Sequence, residues 1–151
     1  NDTKRIIRAL EIILSTNKTL KENSDTRETP DVIMICLNTD RAKLYERINE
    51  RVDEMFDAGL INEIKAIDSF DYQSMQAIGY KEFKDYDINN LTQENINEIK
   101  ENIKQHSRNY AKRQLTWFRK YDFVNWFDCT DMNAAIEFIK TEIDDKKQQL
   151  F

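Results

Sequence analysis

The sequence predicts an α/β protein that is mostly α-helical, with two short parallel strands at about 31–37 and 123–127. Three observations carry this. The runs DVIMICL and FVNWF are short, continuous and apolar, the pattern of a strand buried on both faces. Helical patterning fills the interval between them, and strand, helical crossover, strand is the order of a parallel sheet. Charged residues make up 34% of the 151-residue chain, which has only 2 glycines and 1 proline. That composition favours long helices over a turn-rich all-β fold. Two strands make a poor sheet, so the rest of the sheet is expected outside this sequence.

The elements follow in order. Asn1 and Asp2 are potential caps for a helix through TKRIIRALEIILS, with Ile6, Ile7, Leu10, Ile13 and Leu14 as a broad buried stripe. Lys4, Arg5 and Arg8 crowd its first turns, where the helix dipole disfavours cations. They are either solvent-facing bases or a sign of a nearby anion. The abrupt start suggests a piece of something longer. Residues 17–30 are polar and aperiodic, a flexible loop. After the first strand, Thr39 or Asp40 caps a helix whose core face is Leu44, Ile48, Val52, Met55 and Phe56. Gly59 supplies its left-handed stop. Arg47 and Arg51 lie one turn apart, where like charges repel. Either Glu50 and Glu54 neutralise them, or the two guanidiniums form a fork for a phosphate or diphosphate.

Residues 60–67 continue as a short helix, and 74–86 (SMQAIGYKEFKDY) read as helix-like. Gly79 inside that stretch costs about 1 kcal/mol against alanine. It marks either a kink or the close approach of a backbone or ligand. Tyr80 and Lys81 beside it are suited to stack on and neutralise a nucleotide. Thr92, paired with Asn95, caps a long helix running to Lys120. Ile96, Ile99, Ile103, Tyr110 and Trp117 are its core face, with Lys100, Lys104, Arg108 and Lys112 as a basic stripe. Thr130 or Asp131 caps a closing amphipathic helix.

Charge is distributed unevenly. The net charge is −5, yet the window 104–120 holds Lys104, Arg108, Lys112, Arg113, Arg119 and Lys120 and no acid. Tyr110, Trp117, Phe118 and Tyr121 lie among these bases. Cations attract phosphate and aromatic faces stack on bases, so RNA is the first partner to test. The bland alternative is a solvated helix face. Cys36, Cys129 and the single His106 make no metal-ligand spacing, and free thiols are expected in a cytoplasmic protein. No apolar run is long enough to cross a membrane, and no signal-peptide pattern stands at the start.

The runs NDTKRIIRALEI, RAKLYERINERVDEMFDAGLINEI, QAIGYKEF and YAKRQLTWFRK, in this order and spacing, resemble the C-terminal half of bacterial tRNA dimethylallyltransferases, the tRNA isopentenyl transferase family. The resemblance implies transfer of a dimethylallyl group from dimethylallyl diphosphate to the exocyclic amine of the adenine 3′ of the anticodon. Diphosphate leaves, with Mg²⁺ helping. It also implies a P-loop NTPase-like α/β core with a helical insertion domain that grips the tRNA anticodon stem-loop. Residues 1–30 would then end the insertion domain and its flexible loop, and 31–151 would be the C-terminal part of the catalytic core.

Residue by residue, the resemblance makes Arg51 catalytic, stabilising the departing diphosphate, with Arg47 a second candidate for that anion. It assigns tRNA contacts to Lys4, Arg5 and Arg8, to Gln76, Gly79, Tyr80 and Lys81, and to Lys112, Arg113, Gln114, Trp117 and Arg119. No metal ligand falls in this chain, and the parent enzyme is expected to be monomeric. The family's GxxxxGK[ST] loop and the Asp that serves as general base have no counterpart here. The chain alone is therefore expected to be inactive. The competing class is a non-catalytic helical RNA-binding or protein-interaction module.

Overall fold

The computed structural model describes residues 2–24 and 32–149, and the chain divides into two compact units, Asn1–Val32 and Ile33–Phe151. Each unit is taken by itself.

The first unit carries helix α1, Thr3–Thr16. The Asp2 carboxylate accepts the Arg5 backbone N–H at 3.2 Å and caps it. The same carboxylate pairs with the Arg5 side chain at 3.1 Å, and Glu11 pairs with Arg8 at 3.1 Å. Two of the three cations near the helix start thus find anions on their own helix. The expected burial of the apolar stripe is not observed. Ile6, Ile7, Leu10, Ile13 and Leu14 are all exposed, Leu14 by 84%. The expected loop at 17–30 also needs correction, because Leu20–Ser24 forms a short helix, α2. Glu22 accepts both the backbone N–H and the hydroxyl of Thr19 at 2.7 Å and fixes its start. The rest of that loop, 25–30, lies outside the described residues.

In the second unit, strands β1 (Met34–Asn38) and β2 (Val124–Asp128) pair in parallel, Met34 opposite Val124 and Asn38 opposite Asp128. Both start later than the sequence suggested; Asp31 lies outside the described residues. The strands are not buried on both faces. Val124 is buried at 7% exposure, whereas Leu37 is 43% exposed. A two-stranded sheet has two open edges, and the closing helix α6 (Met132–Gln149) packs against β2, with Phe138 on Phe127.

Helices α3 (Arg41–Asp57), α4 (Leu60–Lys65) and α5 (Gln93–Phe118) form the crossover. Asp40 caps α3 by accepting from the N–H groups of Ala42 and Lys43, and Gly59, at φ +101°, ends its last turn. Thr92 and Asn95 cap α5 reciprocally. The core sits between these helices rather than on the sheet: Val52, Leu60, Ile64, Met75, Phe83, Ile99 and Ile103 cluster there. Residues 74–86 are not one helix. Two 3₁₀ turns, Gln73–Gln76 and Lys81–Phe83, flank Gly79 at φ +101°. A residue in the left-handed region cannot continue a helix, so the segment folds as a strap. Tyr110 and Trp117 were expected in the core, but each is 50% exposed. Helix α5 has 26 residues. At a rise of 1.5 Å per residue that is about 39 Å, and its buried residues, Ile99 and Ile103, both lie in its first half.

Candidate nucleic-acid interface

Helices α3 and α5 are locked side by side at their middles. Asp53 on α3 receives Lys104 at 2.9 Å and Lys100 at 3.3 Å, and Asn49 accepts from Arg108 at 2.6 Å. The hydrogen bond from Lys104 holds the Asp53 carboxyl below its ordinary range, and the same bond raises the Lys104 ammonium. Three members of the expected basic stripe are therefore structural. They fix the distance between the two helices.

Beyond that clasp the helices and the 73–83 strap enclose a cavity of about 840 Å³. Its wall includes Arg51 from α3, Gln76 and Lys81 from the strap, and Arg113 and Gln114 from α5, with Ile48, Met55 and Ile103 as its apolar lining. Five residues expected to touch diphosphate or tRNA thus meet in one space, although 62 positions of sequence separate Arg51 from Arg113. No carboxylate among the described residues lines it. Among the described residues, none lies within 4.0 Å of the Arg51 or Arg113 guanidinium. Arg113 instead stacks on the Tyr110 ring at 5.6 Å.

Two further hollows continue from this cavity along α5. Arg113 also borders a groove with Asn109, Lys112, Thr116, Trp117 and Lys120. Lys112 and Thr116 border a third hollow, with Arg41, Tyr45 and Arg119. Arg119 lies over Trp126 at 5.9 Å, and Arg41 donates to the Tyr45 hydroxyl at 3.1 Å. The three hollows adjoin around α5, sharing Arg113, Lys112 and Thr116 as wall residues, and we read them as one cationic trench with aromatic rings at intervals. Among the described residues, no carboxylate borders the three hollows.

Other expected residues stand elsewhere. Arg47 borders a hollow at the carboxyl ends of the strands, which shares Leu44, Ala111 and Gln114 with the main cavity, and donates to the Cys129 sulfur at 3.7 Å. Cys36 borders the same hollow, and both thiols are free; burial pushes that of Cys36 up. Gly79 is buried under Met55, whose methyl carbon would lie 3.3 Å from an added Cβ. The close neighbour that the glycine admits is thus a core side chain. The Tyr80 hydroxyl donates to Glu63, which raises the phenol above its ordinary range and ties the ring to α4. Lys4, Arg5 and Arg8 are exposed on α1 in the first unit.

Sequence reasoning missed Arg41, whose signal was a cation in the first turn of α3, where the dipole disfavours one. It also passed over Lys120 as a site residue, and Ser107, which lines the main cavity. Among the described residues, no three of His, Cys, Asp and Glu gather as a metal site. None of the described helices is long and apolar enough to cross a membrane.

Parallel strands with a helical crossover and a carboxylate-free cationic trench define the class: an α/β protein with a face suited to a polyanion. The chain belongs to the IPP transferase family, whose model matches residues 1–121. It is 49% identical to the tRNA dimethylallyltransferase of Halalkalibacterium halodurans over 140 residues, covering 88% of this chain and 44% of that protein. It is 46% identical to that of Clostridioides difficile over 149 residues, covering 95% and 47%. The crystal structure of tRNA delta(2)-isopentenylpyrophosphate transferase from Staphylococcus epidermidis superposes with a TM-score of 0.67 at 40% identity, covering 96% of this chain and 50% of that one. The full-length tRNA isopentenylpyrophosphate transferase of Bacillus halodurans gives 0.67 at 41% identity, covering 99% and 48%. The chain spans about half the length of the relatives it matches.

Proposed function

We propose that this chain is the tRNA-gripping, diphosphate-stabilising part of a tRNA dimethylallyltransferase. The observation that carries the reading is the convergence of Arg51, Lys81 and Arg113 on one cavity without a carboxylate. In the reaction, the adenine exocyclic nitrogen forms a bond to the first carbon of the dimethylallyl group. The bond from that carbon to the diphosphate oxygen breaks, and the amine loses a proton to a base supplied outside this chain. Charge develops on the leaving oxygen. In this reading Arg51 meets that charge, and a guanidinium aimed at it stabilises the transition state more than the ground state.

Lys81 and Arg113 hold tRNA phosphates around the target base. Gln76 and Gln114 offer amide donors and acceptors, and Trp117 offers a stacking face. Arg41, Lys120 and Arg119 extend the grip along the trench. Mg²⁺ suits a diphosphate leaving group, but the described residues supply no set of ligands for it, and no step here runs through it.

The test is Arg51→Ala in the complete enzyme. Turnover should fall by about 10²- to 10³-fold, the cost typical of losing one such donor, while affinity for the anticodon stem-loop changes much less. Unchanged turnover would remove Arg51 from the chemistry, and absence of turnover in the unaltered complete protein would favour a plain RNA-binding module.

A further inference from the structure

The Glu82 side chain is only 2% exposed. Its Oε2 accepts the Gly79 N–H at 2.8 Å, and its Oε1 lies 2.6 Å from His106 Nδ1 on α5. The Lys81 ammonium stands 4.0 Å from the same Oε1. A buried carboxylate is unfavourable unless its oxygens are partnered. Here one oxygen is held by the strap and the other by α5, so the group bridges two elements.

Those elements are two walls of the main cavity. Gln76, Ala77, Ile78 and Lys81 come from the strap, and Ser107, one residue after His106, is among the α5 residues that line the cavity with Ile103 and Arg113. The strap has little freedom to reseat itself. Gly79 is packed under Met55, and Phe83, next to Glu82, is fully buried. We propose that Glu82 and His106 are positioning residues. Their carboxylate–imidazole bond sets the gap between Lys81 and the α5 wall, and so tunes the grip on the RNA segment that enters there. The inference rests on the reading of that cavity as an RNA site.

Two variants test it, His106→Ala and Glu82→Ala, with Glu82→Gln as the conservative replacement. Glutamine keeps an acceptor for the Gly79 N–H and gains a donor for an unprotonated Nδ1. In this chain, the amide proton of Gly79 should move upfield in Glu82→Ala and stay near its place in Glu82→Gln. In the complete enzyme, His106→Ala should raise the KM for the anticodon stem-loop about tenfold, the scale of a small misplacement. Its turnover at saturating RNA and its KM for dimethylallyl diphosphate should stay unchanged, and Glu82→Gln should keep the KM near that of the parent. If Glu82→Ala does not fold, His106→Ala decides, since that imidazole is 44% exposed. An unchanged RNA KM in His106→Ala, or a Glu82→Gln variant as weak as His106→Ala, would overturn the inference. Arg113→Ala separates the two failures. If it weakens RNA binding while His106→Ala does not, only the positioning role is lost. If neither does, the cavity is not an RNA site.

Discussion

Asp53 shows how a single exposed side chain can serve a site it does not touch. It holds Lys104 and Lys100 and so keeps α3 and α5 at a fixed spacing beside the cavity. Its folded pKa is depressed, chiefly by the hydrogen bond from Lys104. The stability it contributes is therefore present above its ordinary value of 3.8 and is lost as pH falls through the depressed folded value. Lys104, raised by the same bond, contributes below its ordinary 10.5 and loses that contribution as pH rises through the higher folded value. Asp53→Asn should thus be less stable than the parent near neutrality, and the difference should vanish in acid. Urea unfolding at several pH values measures it. A difference that stays constant into acid would remove the ion pair as its cause.

At the scale of elements, α5 has two jobs divided along its length. Its first half is core: Ile99 and Ile103 are fully buried against α3, α4 and the strap. Its second half carries the cations and rings of the trench. Ile99 does not border the cavity, so it isolates the first job. Ile99→Ala should cost about 2–5 kcal/mol, the usual range for emptying a buried aliphatic site. Chemical denaturation of this chain is the measurement, and a loss well under 1 kcal/mol would mean that the core relaxes around the hole. Helical spacing located α5, its cap and its buried isoleucines, because periodicity reports which side faces a core. It could not report where the core ends, and so Tyr110 and Trp117 were wrongly placed inside. The strap from 73 to 83 was misread for a different reason. Its residues have helical propensity, but Gly79 at positive φ and the anchoring of Glu82 override it.

At the scale of the second unit, no described acid lines the three hollows, so on the proposed reading a polyanion would meet a cationic strip. This chain should bind an anticodon stem-loop, with an affinity that falls linearly on a log–log plot against salt. Arg113→Ala should make that slope shallower by about one. The same preparation, given dimethylallyl diphosphate, should transfer nothing, since the general base is expected outside it. Prenylated RNA from the purified chain would overturn that last expectation.

The sequence by itself determined the long helices, the parallel strand pair, the four motifs of the family and the residue types that an anionic partner requires. These are local properties, written in spacing and side-chain chemistry. Only the tertiary structure decided which cations are spent on the fold and which remain for a ligand. Lys100, Lys104 and Arg108 look the same in sequence as Lys112 and Arg113, but the first three face α3 and find Asp53 and Asn49, while the last two border the open trench. A charge acquires its role from the neighbour that packing brings to it, and those neighbours lie about 47–59 positions away along the chain.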